Sequence, residues 1–358
     1  MRVALIARST LHRVPGGDTV QVLQTAAGLN GLGVTTGIRL ANEAIDYSRY
    51  DLLHFFNIAR PADILRHIQN SGKPYVVSTI LFDHSEYDKY HRKGVGFLFS
   101  HLSGDAIEYV KTLARCLRGK DKLVSPAYLW KGQYKSIVQI IKGAAMLLPN
   151  SVSEYQRLVA KYTQTADYRV VPNGIDPEMF TQRDQIKKED NLVVCAARIE
   201  GVKNQLNLIK ALNNTCFRLL LIGTYAPNQY SYYQECRDIA ADNIEFIGQL
   251  PQAELLKYYR QAKVHVLPSW FETTGLSTME AAAMGCNVVI TDKGDTRAYF
   301  ADDAFYCDPD SPQSIRQAIE KASEADFNES LRQKILNNYT WKQAAIQTLH
   351  AYQTSIPS

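Results

Sequence analysis

FIGQLPQAELLKYYRQAKVHVLPSWFETTGLSTMEAAAMG, residues 246–285, decides how the rest of the chain is read. The strand IEFIG (244–248) runs into a turn at Pro251, and an amphipathic helix follows from Pro251 to Ala262. VHVLPS (264–269) is a short apolar run of the fully buried kind, and after a polar loop a second helix opens near Leu276. Buried strands spaced by helices of about ten residues imply a parallel, doubly wound sheet.

The same alternation extends in both directions. LVVCAA (192–197), a helix from about Asn204, RLLLIG (218–223) and a helix around 229–240 precede the stretch. NVVI (287–290) and a helix from Pro312 follow it. Nearer the amino terminus, VALIA (3–7) leads through Gly16 and Gly17 into Val20, Leu23 and Ala27 at helical spacing. DLLHFF (51–56), a helix from Pro61 to near Gly72, YVVST (75–79) and AMLLPNS (145–151) complete a first series. VVPNGIDPEMF (170–180), with two prolines and an Asn-Gly, suits a boundary between two such series. The reading is therefore two Rossmann-like domains, 1–172 and 173–340, with the closing segment 341–358 crossing back onto the first. In that segment Trp341, Ala344, Ala345, Leu349 and Tyr352 share a helix face that needs a surface to cover.

Length and composition agree. A chain of 358 residues can bury two cores, and 46% apolar with 21% charged residues fits a globular enzyme rather than a disordered or fibrous chain. The apolar stretch at the start is shorter than a signal-peptide core and no run reaches the length of a membrane span, so a cytoplasmic protein is expected. Six scattered cysteines read as reduced thiols, not as a zinc or redox centre. The net charge of +4 is uneven: residues 87–142 hold eleven Lys and Arg against four acids. Within 111–142 these cations mix with Tyr128, Trp130, Tyr134, Val138, Ile140 and Ile141, a composition suited to an anionic membrane surface or a lipid diphosphate. Its ordinary alternative is a solvated helix face with core anchors. Nucleic acid is set aside, since no recognised binding module accompanies the charge.

In open α/β sheets, ligands sit beyond the carboxyl ends of the strands, where backbone N–H groups and helix N-termini converge on phosphate. Glu272 lies in such a loop and Glu280 about one turn inside the helix that follows, roughly 6 Å along its axis. The helix N-terminus at Thr273, Thr274, Gly275 and Leu276 falls between the two carboxylates and could receive a diphosphate. Glu272 would then accept sugar hydroxyls on one side, and Glu280 those of a ribose on the other. Alone, the two glutamates are better read as a dipole-favoured loop residue and a solvated helix residue. The upstream AARIEGVKNQ (196–205) turns the reading: Arg198 and Lys203 follow another strand end, and two cations beside helix N-termini suit a leaving nucleoside diphosphate. An Asp-x-Asp at Asp308 and Asp310 precedes Pro312 and reads as a helix-starting turn, not a metal site.

At this point the chain resembles the retaining family-4 glycosyltransferases, which have the GT-B fold of two Rossmann-like domains facing a cleft. The similarity runs in order through the GG after the first strand, PNGID, RIEGVKNQ, LLLIG, the stretch 246–285 and the closing aromatic helix. It implies Arg198 and Lys203 on the donor diphosphate, Glu272 on the donor sugar and Glu280 on the ribose. It further implies Gly223 and Gly248 to Leu250 at the base, with Gly16 and Gly17 closing over the phosphate. The family works without a bound metal or other cofactor, and retains the donor's anomeric configuration. Front-face displacement is the mechanism expected, with the departing phosphate helping to take the acceptor proton.

The acceptor side is expected in the first domain, at VVSTILFDHSEYDKYHRKG (76–94), where Asp83 and His84 are the acid–base candidates or else cap a turn. The resemblance suggests a glycan or lipid-linked acceptor in bacterial surface polysaccharide synthesis. A sugar-nucleotide epimerase or phosphorylase on the same architecture, and a catalytically silent nucleotide-sugar-binding subunit, are the alternatives. A nicotinamide dehydrogenase is disfavoured, because RSTLHRVPGG lacks the G-x-G-x-x-G turn.

Overall fold

A computed structural model describes residues 1–91, 101–119, 125–180 and 187–356. These form two compact units. The described parts of the first are 1–85, 101–173 and 341–356; those of the second are 86–91 and 174–340. The linear sequence carries no signal for the assignment of 86–91 to the second unit.

The first unit holds a parallel sheet of five strands, β1 (Arg2–Ala7), β2 (Thr35–Leu40), β3 (Leu52–Phe56), β4 (Tyr75–Ser78) and β5 (Met146–Leu148), in the order β2-β1-β3-β4-β5. β1, β3 and β4 are buried almost throughout, which is why they read as unbroken apolar runs. β2 is only half-buried, and its TTGIRL pattern escaped the sequence reading.

The helix after Gly16 and Gly17 forms as expected, over Gly17–Gly31, but it presents the opposite face. Val20, Leu23 and Ala27 are exposed, whereas Thr19, Gln21, Val22, Thr25, Ala26 and Leu29 are buried. Packing chose this face. A Cβ on Gly28 would lie 2.6 Å from the Ala345 Cβ, so close approach of the closing helix Trp341–Ser355 needs the small residues of that side. The closing helix buries Trp341, Ala344, Ala345, Thr348, Ala351 and Tyr352, leaving Leu349 half-buried. It is pinned to the sheet through His54, whose Nδ1 lies 2.6 Å from the Tyr352 hydroxyl and whose Nε2 lies 2.8 Å from Ser78 Oγ.

The second unit holds a parallel sheet of six strands: β6 (Glu189–Ala196), β7 (Arg218–Ile222), β8 (Ile244–Gly248), β9 (Ala262–Leu267), β10 (Asn287–Thr291) and β11 (Phe305–Cys307). The order is β11-β10-β9-β6-β7-β8. The chain therefore builds outward from β6 through β7 to β8, then returns to the other side of β6 with β9. The reversal lies between β6 and β9, the switch point at which the loops leaving two neighbouring strands diverge and leave a crevice. Ala197–Asn204 leaves one of these strands and Pro268–Gly275 the other. All six cysteines are free thiols.

Candidate active site

Three contacts stitch the two switch-point loops together. The Trp270 backbone N–H donates to the Val202 carbonyl at 3.0 Å. Asn204, in the left-handed conformation at φ 61°, donates its side-chain amide to the Pro268 carbonyl at 3.0 Å and the Pro309 carbonyl at 2.7 Å. The Lys203 ammonium pairs with Glu272 Oε1, which also accepts from Ser269 Oγ at 2.7 Å. Glu272 is buried, so its charge is matched by a cation and a hydroxyl as burial requires.

The Glu272 backbone is fixed from the far side by the loop after β10. Its N–H donates to the Lys293 carbonyl at 3.1 Å, and its own carbonyl accepts from the Asp295 N–H at 2.9 Å. Gly294 permits this at φ 107°, because a side chain there would overlap the Glu272 carbonyl. Thr273 and Thr274 are buried, and Gly275, at φ 70°, starts the helix Leu276–Ala283 with no side chain capping its end. A Cβ on Gly275 would stand 2.9 Å from Ile290 Cδ1, so the glycine serves packing as well as conformation.

Glu280 belongs to a different hydrogen-bonded group. It accepts from Gln252 Nε2 at 2.9 Å and from the Tyr259 hydroxyl at 3.5 Å. Burial raises its carboxyl to about 7, against which the Gln252 and Tyr259 hydrogen bonds act. Arg198 pairs with Glu200 at 2.9 Å, while its carbonyl accepts from Gln205 Nε2 at 2.9 Å. The structure thus joins Lys203 directly to Glu272 and places Arg198 and Glu280 in neighbouring but separate clusters. The helix Gln205–Leu212 has its own partner at the start, since Leu206 N–H donates to the Tyr232 hydroxyl at 3.0 Å.

The residues expected around a base also meet. Gly223 N–H donates to the Gly248 carbonyl at 2.8 Å, and Gly223, at φ 151°, approaches the Ala197 carbonyl too closely for any side chain. Leu250 is half-buried against the core. Asn204, Ser269 and Gln252 were missed by the sequence reading. Asn204 had a signal, an asparagine between a cation and a helix start, where left-handed backbone is common.

In the first unit, Gly16 caps the helix Gly17–Gly31 and its N–H donates to Thr19 Oγ1 at 3.1 Å. Arg8 pairs with Asp18 at 2.5 Å in the first turn of that helix. Asp83 accepts from the Ser85 N–H at 2.9 Å. Burial pulls the Asp83 carboxyl up, but the Ser85 hydrogen bonds and Lys161 outweigh it and hold the group below its usual range. His84 stacks on Phe82 with ring centroids 5.5 Å apart. Asp83 thus caps the Ser85 N–H, and His84 packs on a neighbouring ring.

The basic stretch 111–142 divides by burial. Tyr128, Ile140 and Ile141 are fully buried core residues, whereas Trp130 is 74% and Tyr134 42% exposed. Lys111 pairs with Glu108 at 2.6 Å. Lys120 and Lys122, like Arg92 and Lys93, lie outside the described residues. Among the described residues no helix is long and apolar enough to cross a membrane. Among them, too, no three His, Cys, Asp or Glu side chains gather as a metal-binding group. Asp308 and Asp310 form a local turn, with Asp308 Oδ1 accepting from the Asp310 N–H at 3.0 Å.

Comparison with known proteins matches residues 178–341 to the family model described as glycosyl transferases group 1. The D-inositol 3-phosphate glycosyltransferase of Pseudarthrobacter chlorophenolicus is 29% identical over 247 residues, which are 61% of this chain and 57% of that protein. The chain spans about half the length of the curated relatives it matches. Among solved structures, a sucrose-phosphate synthase from Thermosynechococcus elongatus superposes with a TM-score of 0.73 at 15% identity, covering 99% of this chain and 98% of that one. HepE of Anabaena, in complex with UDP and glucose, superposes with a TM-score of 0.61 at 14% identity, covering 99% and 95%. At such identities the superpositions carry the fold, which is GT-B. Residues 178–341 are thus similar to the glycosyl transferases group 1 family, within a chain that has the GT-B fold.

Proposed function

We propose that this chain is a retaining glycosyltransferase that moves a sugar from a nucleoside diphosphate to a glycan or lipid-linked acceptor, in bacterial surface polysaccharide synthesis. One observation carries the reading: the buried Glu272 carboxylate sits at the switch point, paired with Lys203, at the uncapped start of a helix whose second turn holds Glu280. That arrangement has an acceptor for sugar hydroxyls, a cation for phosphate and a second acceptor for ribose, in chain order.

In this reading the incoming diphosphate takes the Lys203 ammonium as counter-charge and frees Glu272 Oε1 for a sugar hydroxyl. Arg198, swinging from Glu200, supplies a second cation. The charge developing on the leaving diphosphate is met by these cations and by the helix N-terminus, which need not reorganise during the reaction. No metal is required for that role, and none is proposed. Gly223 and Gly248 to Leu250 bound the base. Asp83 and His84 remain the acceptor-side groups to test, although the departing phosphate can take the acceptor proton without them.

UDP is the first base to try, since HepE is known with UDP and glucose. The relatives' name makes phosphorylated inositol an acceptor to include in the screen. We place the reaction in the cytoplasm, at an anionic membrane surface if the exposed Trp130 and the neighbouring cations dock there. The decisive experiment is a thermal-shift panel of UDP, GDP, ADP and their sugars, followed by NMR of the product's anomeric centre. A ligand that binds only the folded chain raises its stability by about 2.7 kcal/mol at a hundred times Kd. Absence of any stabilisation refutes the donor reading; an inverted product refutes retention alone; binding with no transfer or hydrolysis leaves the silent subunit.

A further inference from the structure

The segment 86–91 packs onto both switch-point loops within the second unit. Glu86 pairs with the Lys293 ammonium, on the loop whose backbone fixes Glu272. Tyr87 sits on Gly201, midway between Arg198 and Lys203, so closely that a methyl group on Gly201 would overlap the phenol hydroxyl. His91 lies flat on Trp270, with centroids 3.6 Å apart and planes 19° from parallel, and its Nδ1 is 4.0 Å from Asp310 Oδ1. The Lys293 ammonium also lies over the indole, 5.5 Å from the ring centroid. Trp270 is left 4% exposed, two residues before Glu272.

We infer that Glu86–His91 is a positioning strap for the donor site, with Tyr87 and His91 as its working residues. The inference rests on the donor reading above and deepens it. The physical argument is one of register. Lys203 and Glu272 stand on different loops, joined by the single backbone hydrogen bond from Trp270 to Val202, the Asn204 amide and their own ion pair. The ion pair must loosen when a diphosphate takes Lys203 and a sugar takes Glu272. At that moment the strap still clamps Gly201 on one loop and Trp270 on the other, and so holds the spacing that the ligand needs. Glu280, joined to Gln252 and Tyr259, belongs to a separate hydrogen-bonded group and serves the ribose end independently.

The test separates the two ends of the donor. Binding of UMP, which reaches only the ribose end, is compared by calorimetry with binding of UDP-glucose, and GMP with GDP-mannose, for wild type, Tyr87→Ala, His91→Ala, His91→Phe and Gly201→Ala. Misplacement of a binding group by about 1 Å can lower rates about a hundredfold, so a loss of about tenfold or more in sugar-nucleotide affinity is expected for Tyr87→Ala and His91→Ala. UMP or GMP affinity should stay within about twofold, and His91→Phe, which keeps a flat ring on Trp270, should recover most of the loss. Gly201→Ala should weaken binding in the wild-type background but not further in Tyr87→Ala, because the methyl group then has no phenol to displace. Unchanged sugar-nucleotide affinity in both alanine variants overturns the strap, and so does equal weakening of the monophosphates. If the wild type binds none of the four nucleotides, the donor reading itself fails and the strap falls with it.

Discussion

Glu280 allows the donor reading to be tested by pH alone. Burial holds its carboxyl at about 7 in the folded chain, near neutrality, although a ribose hydroxyl pair calls for the ionised form. If only that form is competent, the apparent Kd is the intrinsic value divided by the ionised fraction. With a folded-state value of about 7, affinity at pH 6 is about elevenfold below its limit and at pH 8 about 1.1-fold below it, so about tenfold separates the two, or about 1.4 kcal/mol. The assay is calorimetric titration with UDP-glucose, whose diphosphate diester gains no proton in this range. Glu280→Gln should bind more weakly at pH 8, by roughly 1.5–3 kcal/mol, and show a flat profile.

Stability supplies the complementary sign. The folded-state value lies above the unfolded one, so the folded chain binds more protons in between. The stabilisation is fully present below about 4.5 and is lost as pH rises through about 7, an effect on the order of 3 kcal/mol. The unliganded Glu280→Gln variant should therefore melt higher than wild type at pH 8, and the gap should narrow towards pH 5. A wild-type affinity that does not change between pH 6 and 8, or a variant with the same slope as wild type, refutes the assignment of Glu280 to the ribose.

Three further outcomes are expected. Lys203→Ala should lower donor turnover by about 10²–10³ at saturating donor, read by nucleoside diphosphate release; turnover near wild type would remove Lys203 from the leaving-group role. Dialysis against a chelator should leave turnover unchanged, and recovery only on adding back a divalent ion would contradict a charge balance met by Arg198 and Lys203. Tyr352→Phe should destabilise the chain by about 1–3 kcal/mol in denaturant titration, since it takes the hydroxyl partner from the fully buried His54 Nδ1, and a change within about 0.3 kcal/mol would show that the closing helix is held by apolar packing alone.

Much of the architecture was legible because buried parallel strands announce themselves. β1, β3, β6, β7, β9 and β10 are short apolar runs between helix signals, and each was placed within a residue or two except at the start of β6, which begins three residues earlier than read. β2 and β11 were not seen, being half-buried at or near sheet edges where the alternation is diluted by polar residues. The helix Gly17–Gly31 shows a different limit. Its existence followed from Val20, Leu23 and Ala27, yet those three face outward, because spacing gives a face but not its partner. The partner is a helix more than three hundred residues away, fitted against Gly28.

The sequence by itself determined two α/β sheets, the order of their motifs and the chemistry of the candidate residues, since local apolar patterning and side-chain type survive in one dimension. Only the tertiary structure decided that β9 returns to lie beside β6, bringing Lys203 against Glu272 across nearly seventy residues, and that segment 86–91 lies on Gly201 and Trp270. Strand order is settled by which sheet edges and helix faces bury each other best, a property of the whole packed unit that no stretch of sequence states alone.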